Sequence, residues 1–555
     1  MTAETQALIL QAQTVRGISP NQYSLPFPSL GSALLHQAET QGLAPFLIYY
    51  DEKDARSEFS YTEFAQKTLA MAAFMRSLGV REGNRIATAA HNHPDTIVHY
   101  FAAWMLGACV VPLNMSEDDA RLQYILTHSA ATHLFCRSEY LSRVQAILPK
   151  SVQLVEEAAW QNILEKNDEI EKPQTAHHSS LEALIVYTSG TTGLPKGVVL
   201  TQANILADSA AIARFHGISP TTRLMCVLPV HHVNGTIVTH TTPVVAGASV
   251  VLNRKFQTEH FFSRIEREKV HIVSVVPTLL AFLLEAKAET FGVEKEHFRY
   301  FICGAGPLTC ELARNVEQFF GIRILHGYGL SETTCYSCYL PTDLSHEAHK
   351  HWMYDYGFPS IGIPIEVNEM AIHDASGNAL PAMERGEIVI RGANVMREYF
   401  QNEQANASTF EFGWFRSGDE GFYQTDALGR PFFFITGRLK ELIIRGGVNL
   451  APLEIDEVLA SAPFVKAGIC VGFENDFYGE EVGALVMVHE EALNDIEAAK
   501  HEIIRYCQEK LPFSKAPKVV VIAEELPVTS TGKYQRNKVK HLFAAWKATQ
   551  FRKEQ

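Results

Sequence analysis

The chain has 555 residues, too many for one hydrophobic core, and so predicts two or more folded units. Its 46% hydrophobic and 20% charged residues are a globular balance, and a net charge of -14 argues against nucleic-acid binding, which uses a basic face. Nine cysteines in a chain of this size give no disulfide framework. Cys335 and Cys338 form a C-x-x-C without a second pair at zinc spacing, and read as packing or pocket-lining thiols.

The first residues lack the basic start and apolar run of a secretory signal. No stretch reaches the roughly 20 apolar residues of a membrane helix. The nearest, 272–284, is interrupted by Pro277. The expected location is the cytoplasm, with no membrane span, and the sequons at Asn234 and Asn406 are then chance matches.

Apolar periodicity predicts helices over 61–78 and 94–106 and short buried strands at 85–89 and 109–112. An apolar strand at 183–186 precedes a Gly/Thr-rich segment, followed by a strand at 198–200 and a helix from about 203. Further strands are expected at 224–228, 249–252, 272–276 and 300–303, with helices over 259–269, 278–287 and 309–320. Strands alternating with helices predict parallel sheets covered on both faces, here as two α/β subdomains. Beyond residue 360, short runs such as 387–391 and 432–435 predict small antiparallel strands. Past Gly437 the pattern predicts a helix from Pro452, strands at 467–471 and 483–488, a helix over 496–510 and a strand at 519–522. The expected fold is therefore α/β and multi-domain. A large N-terminal part, 1–438, holds two α/β subdomains and a β-rich subdomain; a small α+β domain spans 439–555.

The sharpest local signal is YTSGTTGLPKG at 187–197. Its glycines let the backbone approach an anion, the hydroxyls of Thr188, Ser189, Thr191 and Thr192 can donate to phosphate oxygens, and Lys196 adds charge. A Walker A loop is excluded, because the lysine is followed by glycine and preceded by proline.

Here the chain resembles the adenylate-forming superfamily of acyl- and aryl-CoA synthetases, peptide-synthetase adenylation domains and beetle luciferases, whose signature is T-S-G-T-T-G-x-P-K-G. The resemblance extends along nearly the whole chain. It places ATP or AMP on Thr188, Ser189, Gly190, Thr191, Thr192, Gly193 and Lys196. GYGLSET at 327–333 resembles the Y-G-x-T-E block, with Ser331 for the usual threonine. It implies nucleotide contacts from Gly327, Tyr328, Gly329 and Ser331, and a Mg²⁺-holding role for Glu332, shared with Thr188. CGAGPL at 303–308 implies adenine packing on Ala305, Gly306 and Pro307. SGD at 417–419 implies ribose contacts from Asp419, joined by Arg438 across a hairpin longer than usual, with Asn449 at a further nucleotide position.

PVHHVNG at 229–235 resembles the P-x-x-H-x-x-G block and implies that His232 lies near the reacting carboxylate. His231 reads instead as a core residue. The acyl pocket is expected to include His232, Val233, Asn234, Val276, Leu330 and Cys335. PVTSTGKYQR at 527–536 matches the C-terminal P-x-T-x-x-G-K-x-x-R motif and implies that Lys533 bridges the carboxylate and the α-phosphate. Lys440 occupies the hinge position, about which the small domain is expected to move, and Gly446 and Gly447 would line the route for coenzyme A.

The implied activity is ATP-dependent acid:CoA ligation through an acyl-adenylate, in fatty-acid or aromatic-acid metabolism, with Mg²⁺ as cofactor and ATP and CoA as co-substrates. Catalysis would rest on Lys533, Glu332 and His232. Alternatives are a stand-alone adenylation enzyme loading an acyl carrier protein, a luciferase-like oxidising enzyme and a non-catalytic nucleotide sensor. The acid reads as a medium-sized or aromatic monocarboxylate, and the assembly as a monomer or homodimer.

Overall fold

Short apolar strands that cannot bury both faces alone stack into sheets, and amphipathic helices cover what remains. The computed structural model describes residues 1–165, 179–188, 194–290, 297–528 and 534–552. Among them, one seven-stranded sheet runs in the order Glu398–Tyr399, Lys196–Thr201, Glu182–Thr188, Cys109–Pro112, Arg85–Ala89, His133–Cys136 and Gln153–Glu156. A nine-stranded sheet runs Ile363–Pro364, Cys338–Tyr339, Ile324–Tyr328, Tyr300–Cys303, Ile272–Val275, Arg223–Cys226, Ser249–Asn253, Pro45–Tyr50 and Arg56–Ser60.

Both sheets are parallel at their centres, as expected, but not at their edges. Glu182–Thr188 pairs antiparallel with Lys196–Thr201. The 189–195 connection is too short for the crossover of a dozen or more residues that parallel pairing requires. A second departure is Pro45–Tyr50, an unbroken apolar run that joins the nine-stranded sheet beside Ser249–Asn253. The first residues of the chain therefore complete the second subdomain.

The helices lock the sheets together. Tyr61–Ser77 starts where Ser60 and Glu63 form a reciprocal capping box. On Pro94–Met105, the fully buried Trp104 donates its indole N–H to the Ala183 carbonyl at 2.8 Å, and its own carbonyl accepts from the Gln202 amide at 3.1 Å. That helix so fixes both ends of the segment carrying the phosphate-loop sequence. One continuous apolar core runs through both sheets into the four-stranded antiparallel sheet of Asn368–His373, Gly386–Gly392, Phe415–Thr425 and Pro431–Arg438. No helix among the described residues is long and apolar enough to cross a membrane.

The C-terminal region has separate cores around Ile455, Leu459 and Ile503 and around Ile469, Phe473 and Phe543. Its strands are Ile443–Arg445, Val448–Leu450, Val465–Asn475, Gly479–Val488 and Val519–Ile522, with helices Pro452–Ala460 and Ile496–Lys510. Leu453 packs on the main core, and several other contacts with the large part are polar. Lys466 pairs with Glu285 at 2.6 Å, and Arg385 lies 3.6 Å from Glu454. The carboxylate of Glu457 accepts from the backbone N–H of Cys310 with both oxygens, at 2.9 and 3.0 Å, at the first turn of helix Cys310–Phe320.

Burial at this junction pushes Glu457 up to about 8, with Asp456 and Glu311 adding to the rise and the Cys310 N–H and Arg314 opposing it. A carboxyl whose docked pKa is raised favours docking below its ordinary range near 4.3, and that contribution fades as pH climbs through about 8. Limited proteolysis of the 439–450 connection should therefore accelerate between about pH 5 and pH 9 beyond the protease's own pH response. Glu457→Gln should remove that excess; an unchanged pH dependence in this variant would refute the latch.

Candidate active site

The strand Glu182–Thr188 has a buried apolar middle and ends with Thr188 opposite Lys196 in the ladder. The residues that follow it in the motif, Ser189, Gly190, Thr191, Thr192 and Gly193, lie outside the described residues, as does Lys533. Gly197 has a packing reason of its own, since a Cβ there would lie 2.9 Å from the Ile185 side chain. Lys196 is half-buried, and its ammonium sits 4.6 Å from the ring centroid of Tyr399. Burial and then the charge of Lys440 lower its pKa, against the opposing pull of Glu332. Lys196, Lys440 and Glu332 thus share one electrostatic neighbourhood.

Strand Ile324–Tyr328 delivers the next group. The buried Tyr328 hydroxyl donates to Asp419 Oδ2 at 2.6 Å, and Arg438 Nε lies 3.3 Å from Asp419 Oδ1. Asp419 and Arg438 are direct cross-strand partners, so the longer connection between them is a hairpin that leaves the pair intact. Asp419 is only 4% exposed, and desolvation together with its charge holds the Tyr328 phenol protonated.

Three glycines allow the chain to close here. A Cβ on Gly329 would lie 1.9 Å from the Cys335 carbonyl, one on Gly327 would lie 2.4 Å from the Tyr339 ring, and one on Gly304 would lie 2.6 Å from the Tyr336 hydroxyl. Ser331 and Glu332 belong to a single turn, Ser331–Thr333. Beyond it Thr334 has φ 64° and ψ -57°, with Cys335 N–H donating to the Thr333 carbonyl at 2.7 Å. This is the rare γ-turn of positive φ, a strained conformation. Asn394 brackets it. The Asn394 carbonyl accepts from the Thr334 hydroxyl at 2.6 Å, and its amide donates to the Tyr336 carbonyl at 3.2 Å. Glu332 is fixed at both ends, its carbonyl accepting from Met396 N–H and its carboxylate from the Tyr399 hydroxyl, each at 2.8 Å.

Of the residues expected at the acyl pocket, His232 and Val233 are half-buried just before Asn234–Thr241, a π-helix, a form frequent at functional sites. Asn234 donates to the Tyr336 hydroxyl at 3.1 Å and accepts from the Ser274 hydroxyl at 2.8 Å. Its amide is engaged at both ends and braces the wall from behind. Val276 and Cys335 are buried and Leu330 half-buried. Burial lowers His231 to about 4, so this ring is neutral at pH 7. Ala305, between Gly304 and Gly306 and ahead of Pro307, adopts φ 63°.

The C-terminal residues stand differently. Gly446 and Gly447 have φ 58° and 83° and join Ile443–Arg445 to Val448–Leu450. A two-residue hairpin turn with both φ positive demands glycine, whatever else passes nearby. Asn449 and Lys440 are exposed. Lys533 has well-placed flanks, because Val528 bridges Tyr534 and Arg536 is buried against Asp456, the Cys470 carbonyl and, at 3.6 Å, Glu441.

The family model for AMP-binding enzymes matches residues 34–400, and that for the AMP-binding enzyme C-terminal domain matches 454–533. The chain belongs to the AMP-binding enzyme family. It is 30% identical over 520 residues to sulfoacetate–CoA ligase of Cupriavidus necator, covering 92% of this chain and 97% of that protein. With 2-succinylbenzoate–CoA ligase of Bacillus pumilus it shares 28% over 508 residues, covering 91% and 97%. Among solved structures, o-succinylbenzoate coenzyme A synthetase from Bacillus subtilis, in complex with ATP and magnesium ion, matches with TM-score 0.78 and 28% identity over 92% of this chain and 99% of that one. ATP-bound MatB from Rhodopseudomonas palustris matches with TM-score 0.82 over 93% and 99%, at 24% identity, a likeness of fold.

In this AMP-binding enzyme the fold gathers Lys196, Glu332, Tyr328, Asp419 and Arg438, which sequence reasoning named, with Tyr336, Asn394 and Tyr399, which it did not. Tyr336 directly follows the last pocket residue named, and its position there was the available signal. Asn394 lies between strands and Tyr399 on a strand of two residues, so neither has a periodicity to betray it. Gly329→Ala would force backbone against backbone at Cys335, and should cost about 1–3 kcal/mol in urea unfolding. It should also impair adenylation beyond that loss; wild-type stability would show that the turn tolerates a side chain.

Proposed function

We propose that the protein is an ATP-dependent acid:CoA ligase that forms an acyl-adenylate and then a thioester, releasing pyrophosphate and AMP. The observation that carries this reading is Asp419 held between the Tyr328 hydroxyl and Arg438, with Glu332 close enough to act on the charges of both Arg438 and Lys196. An aspartate so placed accepts from ribose hydroxyls, while Lys196 faces the phosphates and Glu332 offers a hard oxygen donor. One preset carboxylate suits Mg²⁺, which binds through one or two carboxylates with substrate phosphates and water. When bound with the nucleotide, the ion supplies charge neutralisation on the phosphate oxygens. Thr188 would share that task.

In the first half-reaction a carboxylate oxygen attacks the α-phosphorus, and the bond to the departing pyrophosphate breaks. Two anions must meet, and Lys533 would bridge them. At ~4 Å and an effective dielectric of ~20, one ammonium contributes about 4 kcal/mol, or about three powers of ten in rate. In the second, a thiolate attacks the acyl carbon and AMP leaves. The region 439–555 would rotate about Lys440 between the two, a gating use of a hinge. Coenzyme A would pass the Gly446–Gly447 turn, and a carrier-protein pantetheine would follow the same route.

Relatives act on sulfoacetate, 2-succinylbenzoate and indoleacetate, and the wall of His232, Val233, Val276, Tyr336 and Cys335 favours a compact or aromatic acid. All nine cysteines are free and buried, which supports a reducing, cytoplasmic setting.

Pyrophosphate release across an acid panel, with and without coenzyme A, tests the reading; a folded protein that binds ATP but releases none with any acid is a sensor instead. Lys533→Ala should slow acyl-AMP formation by about three powers of ten yet convert supplied acyl-AMP to thioester at the normal rate. Normal adenylation in this variant would overturn the role given to Lys533.

A further inference from the structure

Tyr399 lies on a two-residue strand at the edge of the seven-stranded sheet, and its place is heavily determined. It pairs with Val198 on the return strand of the phosphate hairpin. Its N–H donates to Asn406 Oδ1 at 2.7 Å and its carbonyl accepts from Asn406 Nδ2 at 3.0 Å. The next residue, Phe400, donates to the Gly197 carbonyl at 2.7 Å. The side chain is 6% exposed, and both of its chemical faces are in use. The hydroxyl donates to Glu332 Oε1 at 2.8 Å, while the ring face lies 4.6 Å from the Lys196 ammonium.

That double contact meets an awkward requirement. A lysine and a glutamate in one small site attract each other, and a direct pair would neutralise the cation meant for phosphate and occupy the carboxylate meant for a metal. An aromatic face holds a cation without a counter-charge. A phenol donating to one carboxylate oxygen orients the group and leaves the other oxygen open, as partners behind metal ligands do.

We propose that Tyr399 is a positioning residue for adenylation: its hydroxyl sets the Glu332 carboxylate for the magnesium–nucleotide complex, and its ring holds the Lys196 ammonium at the start of strand Lys196–Thr201 without supplying a counter-charge. The inference rests on the ligase reading above and goes beyond it, since it assigns separate tasks to the two halves of one side chain that acts through Glu332 and Lys196.

Tyr399→Phe keeps the ring and removes the hydroxyl; Tyr399→Leu removes both. Calorimetric titration of ATP into each full-length variant, with and without magnesium, separates the tasks, with Glu332→Gln as reference. Tyr399→Phe should bind metal-free ATP as the wild type does, yet need about tenfold more magnesium for half-maximal enhancement of ATP binding. Tyr399→Leu should share that shift and also bind metal-free ATP about threefold to tenfold more weakly. A wild-type magnesium response in Tyr399→Phe, with Glu332→Gln impaired, would overturn the hydroxyl's role alone. Equal weakening of metal-free ATP binding in both tyrosine variants would overturn the division between hydroxyl and ring. A wild-type magnesium response in Glu332→Gln would instead strike the assignment of Glu332 on which the inference stands.

Discussion

Bringing a carboxylate up to a triphosphate is electrostatically uphill, and the arrangement of this protein answers that repulsion. Its cations come from segments far apart in sequence: Lys196 from a hairpin in the first sheet, Arg438 from the four-stranded sheet and Lys440 from the start of the small region. Burial, and after it the like charge of Lys440, lowers the pKa of Lys196. Two of the three have a fixed neighbour, Tyr399 for Lys196 and Asp419 for Arg438, while Lys440 is exposed to solvent.

Holding those neighbours requires unusually close backbone packing at the carboxyl ends of the parallel strands, where open α/β sheets place their ligands. Gly304, Gly327 and Gly329 let three chain segments approach within distances that a Cβ would forbid. The γ-turn at Thr334 then swings the chain back, and Asn394 restrains it from a strand-linking segment some 60 residues further on. Strain of this kind persists only where surroundings over-determine it. Here the same segment, 393–399, also secures Glu332 through Met396 and Tyr399.

The small C-terminal region follows a different logic. Its cores are separate from the main one, and several of its contacts to the large part are polar. An interface of that character can be left without exposing a large apolar face, which suits the rotation proposed for this region. Within the region, Arg536 is buried against Asp456 and the Cys470 carbonyl.

Much of the architecture was legible locally. The helix over 496–510 and the strand at 519–522 coincide with the observed Ile496–Lys510 and Val519–Ile522, because each has a single clear periodicity bounded by turns. Family, glycine turns and the charged residues of each motif were likewise readable, since motif spacing is a property of contiguous chain. What the sequence could not settle was pairing across space: the antiparallel edge at 182–201, the place of Pro45–Tyr50 in the second sheet, the bonding of Asn234 to Tyr336, and the contact of Tyr399 with both Glu332 and Lys196. Local order follows from backbone and side-chain preferences within a few residues. A polar contact between distant strands depends instead on how sheets stack and where loops return, and only the packed tertiary structure fixes that.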